Sequence, residues 1–589
     1  MAGKLRISIL AALTAVVLSS TNLPAQAESS WETFSCDKRL AKVSNSTVAS
    51  NSDFDVVIYG GTPSGVAAAT TAANQGKKVL ILSESSLFGG SISNGLSATD
   101  IGSTYANVGL ASEFLNQVRN YYHTSDFRTE PKVAECIFAG WLYKKNITTG
   151  TNTILDSATV AKSKITDLNF HTSNSSDSIK AKGKTFIDAS YAGDLMFEAG
   201  VKTRLGMSDY YDYKESVTSY RKFNVHFTLK NPEEIAQGKI DFAMLPQVTI
   251  ANSLSNYKAK IVTGMPSFTY RLCVTKNAAN LIPFAKTDDL ETYAPAWRTW
   301  MKNYYGYNIQ KQAEVRSNGT VLTQLWRMSK IPNDKYDLNA YFSSFTNLTM
   351  RKEYFDNTTD RAAILAEYSS YLQSFLWFVQ NDPSVPKLEK DALKGFGLCA
   401  DEFKTTNGWP ELPYLREGRR LIGKSTLTTN DILNSRMKAD SIAVGAYPLD
   451  SKPTLFVYAD GSYARDRGVM FRAPLYEIPF SAMIPNQGPK NLIVSVGISA
   501  SPAAFASIRM EPQFLQLGQA AGLAAALAAD GNGVITQTLA GSVQLGLIQA
   551  RGFTGITAIC LKMNGSMRNY WGFNETTCNT KNFGLIIAN

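Results

Sequence analysis

The spacing of hydrophobic positions changes several times along the chain, and each change marks an element. Phe54-Asp55-Val56-Val57-Ile58-Tyr59 is a short β-branched run stopped at once by Gly60-Gly61, the pattern of a buried parallel strand. Pro63 to Gln75 is Ala-rich, with proline near its start and Gly76 just past its end, which predicts a helix packed closely on small residues. Lys77 to Glu84 returns to strand pattern and ends in a carboxylate. Strand, glycine turn, helix, strand and acid thus fall within Asp55 to Ser85 as one βαβ unit. Ser157 to Lys164 and Thr185 to Ser190 read as further strands, and Arg361 to Val379 as a helical patch. Asn491 to Gly497 reads as another buried strand, followed by a second small-residue helix, Pro512 to Asp530.

The stretch from Leu205 to Asp450 differs in kind, being rich in Tyr, Trp, Phe and charge. The predicted fold is therefore α/β: a Rossmann-like domain with a parallel sheet, assembled from both ends of the chain, carrying a large inserted α+β lobe. The expected divisions are a signal peptide at 1–27, a linker at 28–52, the first part of the nucleotide-binding domain at 53–204, and the inserted substrate or cap lobe at 205–455. The second part of the domain is expected at 456–530 and a C-terminal extension at 531–589.

Composition narrows the class. With 589 residues, 44% apolar and 18% charged, the chain is a folded protein of several lobes. The net charge of +10 comes without any run of five basic residues, so nucleic-acid binding has no local support. Three histidines lie far apart and no HExxH or CxxC occurs, so no metal centre is expected. At the N-terminus, Lys4 and Arg6 precede the apolar run Ile7 to Leu18, and Ala25-Gln26-Ala27 places small residues at a cleavage site. This predicts a cleaved signal peptide. The competing reading, a membrane anchor, meets an apolar run below the roughly 20 residues a span needs, and no later segment reaches that length. Eight Asn-x-Ser/Thr sequons, at Asn45, Asn146, Asn174, Asn318, Asn347, Asn357, Asn564 and Asn574, fit a secreted or lumenal glycoprotein. Six cysteines allow disulfides, and Cys560 with Cys578, which flank a short terminal loop, is the one pairing expected.

The glycine turn Gly60-Gly61-Thr62-Pro63-Ser64-Gly65 is GxGxxG with Thr62 at its second glycine position. Glycine there lets the backbone approach a pyrophosphate at the helix N-terminus. Glu84 lies where a carboxylate can accept both ribose hydroxyls of an adenosine. Gly89-Gly90, just beyond it, lets the chain run under the extended phosphates of FAD, a need that simple nicotinamide dehydrogenases lack. No second fingerprint for a nicotinamide cofactor follows.

Residues Val56 to Asp100 resemble the amino terminus of FAD-dependent oxidoreductases of the glutathione-reductase superfamily, in particular a family often labelled simply FAD-dependent oxidoreductase and known mainly from secreted or hydrolase-linked microbial proteins. Ordered matches continue through Glu130 to Glu135, Ile187 to Leu195, Tyr270 to Thr275, Lys335 to Asn339, Asp401 to Phe403 and Leu415 to Arg420. Above all, Ser507 to Pro512 is followed by Leu517 to Gly522. The resemblance implies that Gly60, Thr62, Gly65, Glu84, Gly89 and Gly90 hold the ADP half of FAD, that the Val160 backbone lies beside the adenine, and that Asp188, Asp194, Gly497, Gly518 and Gln519 pass near the cofactor. It also implies a helix from Pro512 aimed at the flavin pyrimidine, stabilising negative charge there by roughly 0.3–2 kcal/mol. Arg509 is then the leading flavin- or substrate-facing cation, against a structural salt bridge with Glu511 or Glu417. Tyr270, Arg271 and Arg416 are polar candidates in the lobe, each equally able to serve a structural role. Relatives commonly carry histidine where this chain has Lys132, Lys452 and Pro502, so any step those histidines serve must use other groups here.

These readings imply an enzyme in which a small organic substrate loses a hydride to FAD and dioxygen accepts the electrons, with natural-product biosynthesis in a secretory compartment as the expected setting. A flavin-dependent monooxygenase and a non-catalytic FAD-fold binding protein are the alternatives.

Overall fold

A computed structural model describes residues 36–44, 48–206, 223–227, 261–303, 314–323, 325–340, 348–349, 352–355, 361–451, 454–458, 463–466 and 469–550, with single residues at 213, 215, 552, 555 and 556. The proposed signal peptide, Lys452 and the Cys560 and Cys578 pair lie outside the described residues.

The stretch expected as a linker carries a helix, α1 (Cys36–Ser44), tied by a disulfide to Cys136. Strand β1 (Ser52–Tyr59) leads through the glycine turn into α2 (Pro63–Asn74), and β2 (Val79–Leu82) completes the unit. The start of α2 follows from local chemistry: Thr62 is its N-cap, the Thr62 side chain accepts from Gly65 N, and Pro63 takes the first turn. Two helices that are not among the expected elements follow, α3 (Leu110–Tyr122) and α4 (Pro131–Leu142).

Next come β3 (Ile147–Gly150), β4 (Thr153–Ala161), β5 (Lys164–Thr172) and β6 (Ser175–Asp188). The strand expected over 157–164 is in fact split by a hairpin turn. Lys162 and Ser163 both have positive φ, 50° and 61°, as a two-residue turn matched to strand twist requires. The sheet runs β3-β2-β1-β6-β5-β4, with β11 (Leu492–Val494) also on β6. Strands β3, β2, β1, β6 and β11 are parallel, and β4 and β5 form an antiparallel extension. The chain thus returns to its first domain from more than 300 residues away, as the sequence implied.

After β6 comes the short α5 (Asp194–Glu198). A second, antiparallel seven-stranded sheet then contains β7 (Leu272–Thr275), β8 (Trp326–Ile331), β9 (Lys335–Ala340) and β10 (Gly397–Cys399). Helix α6 (Arg361–Asn381) contributes Tyr371, Phe375 and Phe378 around the buried Trp297, a core separate from that of the first sheet. A disulfide between Cys273 and Cys399 joins β7 to β10.

The chain closes with α7 (Pro502–Ile508), α8 (Glu511–Asp530) and α9 (Ala540–Gln549). Helix α8 is apolar nearly all round and almost wholly buried, as its composition demands. It crosses α2 at glycine: a Cβ on Gly518 would lie 2.0 Å from Ser64 O, and one on Gly522 2.3 Å from Ala68 O. In the segment expected as an extension, α9 buries Val543 and Leu547 in the main core.

Candidate active site

The carboxyl ends of the parallel strands converge, which is where open α/β sheets bind ligands. Gly60, at the end of β1, has φ of 118°, and a Cβ there would lie 2.3 Å from Ala189 C. Thr62 Oγ1 donates to Ala189 O at 2.8 Å, and Ser64 Oγ donates to Ser495 Oγ at 2.8 Å, stitching the ends of β1, β6 and β11 together. Gly89 N and Gly90 N both donate to Gly61 O, at 2.7 and 3.1 Å, so the glycine pair is folded directly onto the glycine turn. A Cβ on Gly90 would lie 2.4 Å from Tyr191 Oη. Among the described residues the buried amides of Gly61, Thr62 and Ser64 make no hydrogen bond, which leaves donors at the N-terminus of α2.

Glu84 ends up beside Asp194 and Arg361. Its side chain is 20% exposed, its Oε1 makes no hydrogen bond, and Arg361 Nη1 stands 3.8 Å from that oxygen. Arg361 grips Asp194 bidentately, at 2.9 and 2.6 Å. Burial would raise the Asp194 carboxyl, but the Arg361 ion pair outweighs it and holds the group at about 2. Glu84 moves the other way: burial, then the Asp194 charge, push its carboxyl well above the usual range. Asp188 is pushed to about 6 by burial, and its oxygens accept from Ser190 N, Ser190 Oγ and Met196 N, a loop-fixing role.

The other wall is the first turn of α8. Glu511 Oε1 accepts from Tyr191 Oη at 2.8 Å, and Tyr191 Oη accepts from Ser91 N at 2.9 Å, which joins α8 to the glycine-pair loop. On the loop that follows the glycine pair and on the first turn of α8, Ser93 Oγ, Ser97 Oγ, Glu511 Oε2 and both amide atoms of Gln513 are buried without a hydrogen bond. Each such group costs about 1–3 kcal/mol if left unmade, so their grouping calls for a polar ligand. Free amides at the α2 N-terminus, an unsatisfied acid at the end of β2 and unsatisfied polar groups at α8 fit a long dinucleotide cofactor with a polar ring system.

The candidate residues divide cleanly. Gly60, Thr62, Gly65, Glu84, Gly89, Gly90, Asp188, Asp194 and Gly518 come together at the strand ends or against the glycine turn. Gly497 packs on Arg419 O, just behind them. Val160 does not join them: it is 43% exposed and pairs with Ile165 beside the hairpin turn, near Lys490 at the amino end of β11. The start of β4 lies nearer the end of β2, where Thr153 N donates to Ser83 O at 2.9 Å. Gln519 faces elsewhere, its Oε1 accepting from Leu110 N.

Arg509 forms neither of the salt bridges considered for it as its main contact. Its guanidinium donates to Tyr414 Oη at 2.9 Å and Asp450 O at 2.7 Å, and these surroundings raise its pKa although burial acts to lower it. Arg271 and Arg416 lie 5.7 and 5.0 Å from the same Tyr414 ring, so cations of the lobe and of the core meet there. Arg271 is also locked to the buried Asp337, at 2.8 and 2.5 Å. Burial, with help from Arg509 and Arg271, lowers Arg416 to about 10. Tyr270 lies in the lobe core with its ring 5.2 Å from Trp409. Lys132 binds Asp401, while Pro502 opens α7. The acids Glu130, Asp401 and Glu402 surround the ammonium of Lys335 at 2.5, 2.7 and 2.7 Å, so a lysine supplies the cation that a metal would otherwise bring.

Tyr191, Gln513 and Arg361 were not singled out from sequence. Only Glu511-Pro512, an acid beside the proline that opens a helix, offered a local signal.

Fold and site together define a dinucleotide-binding flavoprotein of the Rossmann-like class. The chain belongs to the FAD dependent oxidoreductase family, whose model matches residues 55–545, and its cofactor is FAD. No curated protein matches the sequence significantly. Among solved structures it is similar to the flavin-dependent brominase Bmp2, with 9% identity over 88% of this chain and 87% of that one and a TM-score of 0.34. It is also similar to a geranylgeranyl bacteriochlorophyll reductase-like protein of Thermoplasma acidophilum, with 9% identity over 91% and 92% and a TM-score of 0.32. The L-proline dehydrogenase of P. horikoshii shares 15% identity over 28% of this chain, which spans 26% of that protein's length, with a TM-score of 0.18.

Proposed function

We propose that this oxidoreductase oxidises a small organic substrate by hydride transfer to FAD, with dioxygen taking the electrons, in the lumen of the secretory pathway or outside the cell. The observation that carries the redox reading is the set of unsatisfied buried polar groups between the glycine-pair loop and the first turn of α8. FAD supplies the hydride chemistry when bound, and the protein supplies position and electrostatics. Gly60, Thr62, Gly65 and the α2 amides would hold its phosphates, Glu84 its ribose, and Glu511 and Gln513 its ring end. Arg509 and Arg271, meeting at Tyr414, would line the substrate side between lobe and core. The signal-peptide pattern and the sequons support the lumenal setting.

The test is an absorbance spectrum of purified protein before and after acid precipitation, then anaerobic photoreduction and readmission of air. A yellow supernatant with fast reoxidation supports non-covalent FAD and an oxidase. Slow reoxidation in air removes dioxygen as the acceptor, and colourless protein that FAD does not reconstitute removes the cofactor site.

A further inference from the structure

Glu511 opens α8 and is 2% exposed, yet its two oxygens are treated differently. Oε1 is held by Tyr191, which the Ser91 amide fixes in turn, while Oε2 makes no hydrogen bond of ordinary geometry. Two residues on, Gln513 is 0% exposed and neither of its amide atoms has a partner. A helix of 20 residues therefore presents in its first turn one buried carboxyl with a single oxygen held by Tyr191 and one buried amide with no partner, beside the loop that contains the glycine pair. The titratable groups facing Glu511 are Tyr191 and Arg509. Burial pushes the Glu511 carboxyl to about 8, against the hydrogen bonds of Tyr191 and Ser91 and the Arg509 charge.

We infer that Glu511 is a positioning acid of the cofactor site, which, where it stands ionised in the oxidised enzyme, takes up a proton from solvent as two electrons enter the bound FAD. The inference rests on FAD occupying this site. The balance is simple: two electrons and one proton go to the cofactor, leaving the site one charge more negative, and one further proton passes from water to the Glu511 carboxylate. Added negative charge favours the neutral form of a neighbouring acid, and a carboxyl that titrates near the working pH can respond to it.

The experiment is the midpoint potential of the FAD-loaded enzyme against pH, by dye equilibration with dithionite as reductant. In wild type the slope of potential against pH doubles above the pH at which the oxidised enzyme loses the Glu511 proton, since the reduced enzyme regains it there. Glu511→Gln gives one slope throughout. Tyr191→Phe, which removes a hydrogen bond that favours the carboxylate, moves the break to higher pH. An infrared difference spectrum, reduced minus oxidised, needs no variant: wild type gains a protonated-carboxyl band above the break. A single slope in wild type, or the same break in Glu511→Gln, overturns the inference while FAD binding stands. A chain that binds no FAD overturns both.

Discussion

At the residue scale, the arrangement around Glu84 makes two predictions. Glu84→Ala removes both acceptors for the ribose hydroxyls, at about 0.5–1.5 kcal/mol each. FAD affinity, followed by flavin fluorescence, is expected to fall about 5- to 100-fold, and an unchanged dissociation constant would remove Glu84 from the site. The second prediction concerns Asp194. Its carboxyl is held at about 2, below its unfolded value of 3.8, so the stability it brings is complete above that value and is lost as pH falls toward 2. In Arg361→Met the Asp194 and Glu84 carboxyls face each other with only Arg419 left near Asp194, at 3.7 Å, and acid unfolding shows a much smaller component. Denaturant midpoints at pH 3 and pH 7 check it. Glu84 and the glycines were legible because their roles are set by neighbours in sequence. Arg361 was not, since a helix 277 residues away delivers it, and nothing in its local pattern separates it from a solvated arginine.

At the scale of elements, the contact between α2 and α8 decides whether the two ends of the chain meet. Gly518→Ala puts a Cβ 2.0 Å from Ser64 O, backbone that cannot yield cheaply. Overpacking of this kind costs about 1–3 kcal/mol, and here it also shifts the helix that carries the glycine turn. Urea midpoints should fall accordingly, with FAD affinity falling in the same variant; a stable variant that has lost only FAD would place the glycine at the ligand rather than at the helix crossing. Both small-residue helices were legible because Pro and Gly punctuate them and their composition admits no exposed face. The hairpin at Lys162-Ser163 was not, since neither residue is the Asn or Gly that normally marks such a turn. Helices α3 and α4 do carry a sequence signal: α3 buries Ala111, Phe114, Leu115 and Val118, and α4 buries Val133, Ala134, Ile137 and Phe138, each at helical spacing on one apolar face.

At the scale of the whole molecule, the lobe and the nucleotide-binding core are joined by charge as well as by packing. Lys335, on lobe strand β9 and 1% exposed, reaches Glu130 at the start of α4 together with Asp401 and Glu402 just after β10. Glu130 also accepts from Tyr122 Oη and Asn333 Nδ2, at 3.0 and 2.7 Å. The Cys273–Cys399 disulfide holds the two lobe strands that flank this contact. None of this could be read from sequence, because the partners come from three distant segments. Removing one partner of a buried charge cluster leaves the others uncompensated and costs about 3–5 kcal/mol, so Lys335→Met should destabilise by about that amount. The pH dependence separates charge from packing. Glu402 is already pushed by burial, partly offset by Lys335, to about 7; without the ammonium it holds its proton to still higher pH. The gap between wild type and Lys335→Met is therefore largest in alkaline solution, where the acids must ionise, and narrows as pH falls and they take up protons. Urea midpoints at pH 5, 7 and 9 measure it, and a gap independent of pH would assign the loss to packing of the lysine stem instead.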